Sequence, residues 1–167
     1  KQKLSVFQTV EALSLAEKDN RVKGIIVDLG NAGLNVANIQ ELRSAIKRLR
    51  AAGKFAWVYA PSYGNAGTGL GTYYLASAFD QIWMQPLGTL SIAGIGMEVP
   101  YVRGLLDKIG VEPQFFQRKE YKTAFESVMN SEMTPQNREM MTAMIESIGG
   151  QILSETAADR GIDPVIL

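Results

Sequence analysis

The chain has 167 residues, and its 17 basic side chains balance 17 acidic ones. Hydrophobic residues at 46% and charged residues at 20% exclude a disordered chain and fit one domain with a real core. The even charge supplies no basic face for nucleic acid, and the absence of Cys and His excludes disulfides, thiol nucleophiles and Ser-His-Asp schemes within these residues.

Val6, Val10, Leu13 and Ala16 recur at helical spacing, and the polar run from Lys18 to Arg21 stops that helix. The β-branched run Val22 to Leu29 predicts a buried strand, parallel to its neighbours. Gly30-Asn31-Ala32-Gly33 breaks it, and Asn35 caps a second helix. Val36, Ile39, Leu42, Ile46 and Leu49 line one face of that helix, with Arg43, Lys47 and Arg50 placed elsewhere and Gly53 at the end. Phe55 to Ala60 is a second buried strand. A Gly-rich loop from Pro61 to Gly71 leads into a short helix through Tyr73 to Ala76, and Gln81 to Met84 is a third strand. Thr89 to Val99 reads as one or two short strands with Gly bends, Val102 to Ile109 as a short helix, and Gln114 to Gln117 as a fourth strand. Thr134-Pro135 starts a last helix, because Thr caps and Pro suits the first turn. Met141, Ile145, Ile148 and Ile152 follow as an apolar stripe, and Gly161 ends it. Alternating helices and strands predict an α/β domain with a largely parallel sheet over residues 1–167. No run reaches the roughly 20 apolar residues of a membrane span. No signal peptide is visible, and the abrupt start at Lys1-Gln2-Lys3 reads as an excised piece.

The chemistry-bearing motifs are few. In the stretch Gly64 to Thr72, the G-x-G-x-x-G spacing from Gly67 fails because its sixth position is Thr72, and no acidic residue sits about 20 residues on. A flexible strand-to-helix connection is the better reading. Ser62, Ser77 and Ser91 lie outside any G-x-S-x-G elbow and read as turn or surface serines. Asp28, Asp80 and Glu98 are too scattered for paired-carboxylate or metal chemistry. Met133, Met140, Met141 and Met144 read as packing residues. No cofactor and no metal site is expected. Lys122, flanked by Tyr121, Ala124 and Phe125, is the residue of interest. Withdrawing a lysine from water favours the neutral amine, the form that a general base needs. The plainer alternative is a solvated lysine at a helix start, paired with Glu126 at i+4.

Four segments, in order, resemble the signal peptide peptidase A (protease IV) family: VKGIIVDLGNAG, IQELRSAIKRLRAAGKFAWVYA, GTYYLASAFDQIWMQPLGTLSIAGI and GLLDKIGVEPQFFQRKEYKTAFESVMNSEMTPQNREMM. The resemblance runs from about Val22 to Arg160 and implies a ClpP/crotonase-like fold with repeated β-β-α units. It places the family's catalytic lysine, the base of a Ser/Lys dyad, on Lys122. It places the family's nucleophilic serine on Leu70, three residues before Tyr73, with Thr68 a remote alternative. Oxyanion or substrate-binding roles would fall to Gly33 and Gly71, although Gly33 alone is kept of the family's N-S-P-G-G turn. Position 119 is Lys where many members have Gly. These departures imply the amino-terminal, Lys-bearing half of a long-form member, with the serine supplied by a carboxy-terminal half or a neighbouring protomer. The implied partners are hydrophobic peptides, including cleaved signal peptides, and a homo-oligomer, with no nucleic acid. The implied location is the periplasmic face of the inner membrane, with the anchor upstream and this piece itself soluble. Two alternatives are a non-catalytic scaffold of the same assembly and a crotonase-like acyl-CoA enzyme.

Overall fold

The computed structural model describes residues 4–30, 33–64, 69–116 and 118–166. Helix α1, Val6–Lys18, opens on a capping box in which Ser5 and Gln8 bond each other's backbone N–H groups. Its Val6, Val10, Leu13 and Ala16 are all half-buried, and the helix packs on α2. Strand β1, Gly24–Asp28, is followed by α2, Val36–Ala51, whose cap is the side chain of Asn35 accepting from Asn38 N. Strand β2, Phe55–Ala60, helix α3, Leu70–Ser77, and strand β3, Gln81–Met84, complete the first βα repeats.

The three strands form a parallel sheet in the order β1-β2-β3, with Gly24 opposite Phe55 and Trp57 opposite Gln81. Helices thus flank a parallel sheet, as the alternating pattern predicted. Only β2 is central, and it alternates cleanly: Ala56, Val58 and Ala60 are fully buried. The expectation of a buried β1 is corrected. Among the described residues β1 is an edge strand, and Ile26 is 71% exposed. A β-branched run reads the same whether one face or both are covered.

The core lies where α2 meets β2 and α3, around Ile39, Ile46, Leu49, Val58, Tyr74 and Leu75. Each such side chain contributes roughly 1.5–3 kcal/mol by leaving water. Arg43, placed by sequence off the apolar face of α2, is instead 2% exposed. Its guanidinium lies 3.8 Å from the Tyr74 ring centroid and donates to Tyr74 O, to Ser77 Oγ at 2.8 Å and to Asp159 Oδ2 at 2.6 Å. Glu155 Oε2 accepts from both Arg43 and the Tyr74 hydroxyl. Burial together with that carboxylate raises the Tyr74 pKa. The charge is tolerated there because its two terminal nitrogens meet four acceptors, although Nε is buried without a partner among the described residues.

The remaining helices are α4, Arg103–Lys108, α5, Glu126–Met129, and α6, Pro135–Arg160, followed by a 3-10 turn at Pro164–Ile166. Thr134 caps α6 by accepting from Asn137 N. Gly161 ends it with φ of 63°. On the expected stripe of α6, Ile152 is fully buried while Met141, Ile145 and Ile148 are half-buried. Two strand expectations fail. Between Thr89 and Val99 the sole pairing among described residues is an isolated parallel bridge from Leu90 to Tyr63. Residues 114–116 form no strand, and Phe116 is 99% exposed; Gln117 lies outside the described residues. The chain divides into two compact units. One takes residues up to Gly94 and from Ile152 onward, and the other is Ile95–Gln151.

Candidate functional site

Lys122 lies in the second unit, on a short strap between α4 and α5. A tight turn carries it: Lys122 N donates to Lys119 O at 3.3 Å. Lys119 has φ of 72°, the left-handed region that glycine enters freely and other residues enter at a cost. Position 119, where the resemblance implies Gly, thus has a glycine-like backbone conformation.

The strap is pinned on its carboxy-terminal side. The Phe125 ring stacks on Phe115 with centroids 4.1 Å apart. Glu126 is 6% exposed; its Oε1 accepts from Thr134 N at the start of α6 and from the Tyr101 hydroxyl at 3.4 Å. The backbone bond from Val102 N to Ser127 O, 2.8 Å, ties α4 to the same point. Burial first and the Glu126 carboxylate second raise the Tyr101 pKa. On the other flank, Tyr121 donates to Glu139 Oε2 at 3.2 Å, and that carboxylate raises the Tyr121 pKa. Lys122 itself is exposed. The solvated reading of its side chain holds, while its helix-start placement, its pairing with Glu126 and the desolvated reading need correction. Among the described residues it has no ion pair, it precedes α5 rather than starting it, and Glu126 turns to α6 and Tyr101 instead. Nor is it withdrawn from water, because its aromatic neighbours Tyr121 and Phe125 are themselves 50% and 44% exposed.

The other site positions fall in the first unit. Leu70 occupies the first position of α3, and its hydrocarbon side chain offers no nucleophile. Gly71 follows it, and a Cβ there would stand 3.2 Å from Ile39 Cδ1, so a small residue lets α3 sit close on α2. No side-chain cap meets the start of α3 at Gly69, and the opening N–H groups of a helix lack intrahelical acceptors. Gly69 is held by N donating to Ser91 O at 2.8 Å, and a Cβ on it would lie 2.4 Å from Tyr63 O. Gly33 is exposed with open space around it; Asn31, Ala32 and the alternative nucleophile Thr68 lie outside the described residues.

Ser62, Ser77 and Asp80 have structural roles. Ser62 Oγ accepts from Thr89 N, as a turn serine would. Ser77 is not a surface serine: it is fully buried beside Arg43. Asp80 accepts from Arg50 Nε and from Ala56 N, fixing the start of β2. No cluster of three potential metal-binding side chains occurs among the described residues. Sequence reasoning missed Arg43 and the burial of Glu126. The spacing held a signal for the first, because positions 39, 43 and 46 share one helical face.

Residues 48–166, the segment that carries Leu70, Gly71 and Lys122, match the family described as Peptidase family S49. The chain is 30% identical to "Protease 4" of Haemophilus influenzae over 161 residues, which is 96% of this chain and 25% of that protein. It is 30% identical to "Protease 4" of Salmonella typhi over 98% of this chain and 26% of that protein. It is 25% identical to the chloroplastic "Serine protease SPPA" of Arabidopsis thaliana over 87% of this chain and 21% of that protein. The chain thus spans about a quarter of the length of these relatives.

Proposed function

The chain belongs to peptidase family S49, and we propose that it contributes Lys122 as the general base of a Ser/Lys peptidase. The observation that carries the reading is the strap itself. Tyr121-Lys122-Thr123-Ala124 keeps the family's lysine motif, and Lys119 holds a glycine-type turn just before it. In this mechanism the neutral amine takes the proton of a serine hydroxyl as the oxygen attacks a peptide carbonyl. It later returns that proton to the departing amine. Backbone N–H groups stabilise the tetrahedral oxyanion. Gly71, in the first turn of α3 where no side-chain cap is present, suits that role, and Gly33 is its weaker companion.

The serine comes from another part of the parent protein or from a neighbouring copy, because Leu70 stands at the nucleophile position. The exposure of Lys122 agrees with such a division, since a covering partner would supply the desolvation that a neutral amine needs. In this reading residues 1–167 build one ClpP/crotonase-like domain with β-β-α repeats. The substrates are hydrophobic peptides such as cleaved signal peptides, and the parent is a membrane-associated homo-oligomer. No helix among the described residues is long and apolar enough to cross a membrane.

The second reading is a scaffold without a catalytic part. Leu70 favours it for these residues taken alone. Lys122→Ala in the full-length parent separates the two. Loss of a base that works with its nucleophile lowers turnover by several powers of ten, with circular dichroism and melting unchanged. Near wild-type turnover would leave the scaffold. The 167-residue chain alone is expected to show no hydrolysis of hydrophobic peptide amides or esters.

A further inference from the structure

Lys122 stands between two hydrogen-bonded turns. Lys122 N donates to Lys119 O at 3.3 Å before it, and Glu126 N donates to Thr123 O at 3.0 Å after it. The peptide joining Lys122 to Thr123 is therefore placed by whatever holds the outer ends of those turns. The amino-terminal side offers little, because residues 111–116 carry no regular structure. The carboxy-terminal side runs into α5, a single turn of four residues. A helix that short does not hold itself, since its first bonds do not repay the backbone freedom they remove. It stays where its ties to other elements put it.

Glu126 makes the tie that reaches α6. In a capping box the side chain three residues into a helix reaches back to the N–H of the capping residue. In α6 the capping residue is Thr134, whose hydroxyl accepts from Asn137 N as the motif requires. The return bond is not made by Asn137, whose Oδ1 is buried without a partner among the described residues. Glu126 Oε1 accepts from Thr134 N instead, so the box is completed from the Lys122 strap. A carboxylate suits that place, at the positive end of the dipole of a helix 26 residues long. Its Oε2 is buried without a partner among the described residues, which offsets part of the stability that Oε1 contributes. What the bond supplies above all is a fixed spacing between strap and helix.

We propose that Glu126 is a positioning residue for Lys122: by capping α6 from outside that helix it holds the strap, and with it the amine, in one place. The catalytic consequence rests on the reading of Lys122 as the base. The first test needs no catalysis. It is the backbone order parameter of Lys122, from amide relaxation NMR of the 167-residue chain. The unchanged chain is expected near the rigid value of about 0.85, and Glu126→Ala below about 0.6. Thr134→Ala removes the hydroxyl half of the box but keeps the N–H that Glu126 holds, so Lys122 is expected to stay rigid there. Glu126→Gln, which keeps an acceptor, is expected to stay rigid too. If the alanine variant does not fold, Glu126→Asp, one methylene shorter with its charge kept, takes its place. A Lys122 already flexible in the unchanged chain, unmoved by loss of the Glu126 tie, or loosened equally by Thr134→Ala, overturns the proposal.

The second test is hydrolysis of acetyl-trileucine p-nitroanilide by the full-length parent. Per folded molecule, Glu126→Ala is expected to lower kcat by about tenfold or more, toward the hundredfold that a misplacement of about 1 Å can cost. KM is expected to hold within about twofold, because the loss falls on the transition state. Glu126→Gln is expected to recover most of kcat, and Thr134→Ala to melt earlier with kcat kept. Equal losses of kcat in Thr134→Ala and Glu126→Ala, or a change in KM alone, would mark a structural role and overturn the proposal. Lys122→Ala, run alongside, separates the two failures. Turnover retained there removes the base, and the catalytic consequence with it, while the order parameter still reads whether Glu126 holds the strap. Turnover lost there but unchanged in Glu126→Ala sinks the positioning role alone.

Discussion

Replacing Arg43 with alanine removes a charge that serves four acceptors at once: Tyr74 O, Ser77 Oγ, Glu155 and Asp159. Breaking a buried ion pair from one side costs about 3–5 kcal/mol, because the partner is left uncompensated. Asp159, with a side chain 9% exposed, keeps Lys47 Nζ at 2.7 Å, which places the cost at the low end, about 3 kcal/mol. For a chain of this size each kcal/mol moves Tm by about 2–4 °C, so the expected fall is about 6–12 °C. Urea unfolding followed by tryptophan fluorescence is the direct assay. Trp57 and Trp83 are the chain's two tryptophans and lie on β2 and β3, so the signal reports the sheet that Arg43 supports. A loss below about 1 kcal/mol, the range of exposed pairs, would refute the claim that this arginine is a desolvated keystone of the α2-α3 packing.

Stability should also fall in strong base. Burial raises the Tyr63 hydroxyl to about 12, and that hydroxyl donates to Trp83 O. A folded-state value above the unfolded one near 10 gives a contribution that is whole below pH 10 and is lost as pH rises toward 12. Denaturant melts at pH 9, 10 and 11 are expected to show this decline, and Tyr63→Phe is expected to flatten it. Lys119→Gly relieves a left-handed backbone and is expected to be stabilising or neutral, within about 1 kcal/mol; a clear destabilisation would mean that the turn is not under strain. On α6, Ile152→Ala is expected to cost about 2–5 kcal/mol, as a fully buried site does. Ile148→Ala is expected to cost clearly less because that side chain is only half-buried, and equal losses would contradict the burial pattern.

Local signals were legible wherever one residue type does one job. Asn35 and Thr134 start helices, Gly53 and Gly161 follow helix ends, and Ala56, Val58 and Ala60 alternate inward on β2. What depends on the neighbour was not legible. Val22 to Leu29 carries the composition of a buried strand but has a partner on one side alone among the described residues. Gln114 to Phe116 has strand composition with no strand to pair with, and Phe115 stacks on Phe125 instead. Arg43 escaped because charge was read as exposure, although its helical position pointed inward. At the site, the lysine motif was visible through resemblance. The turn beneath it was foreshadowed only by an odd Lys at position 119, and the burial of Glu126 required knowing that Thr134 and Tyr101 come to it.

The first compact unit is not continuous in sequence, since the chain leaves it at Gly94 and re-enters at Ile152. Arg43 and Asp159 are 116 positions apart. At a synthesis rate of about 5–20 residues per second, a newly made Arg43 waits on the order of 6–23 s for its carboxylate. Once β3 has been made, the β1-β2-β3 sheet stands without the last turns of α6, and the Arg43 guanidinium must stay hydrated. A nascent chain halted before Ile152 is therefore expected to be far more open to protease than one released past Arg160, and Arg43→Met is expected to narrow that difference.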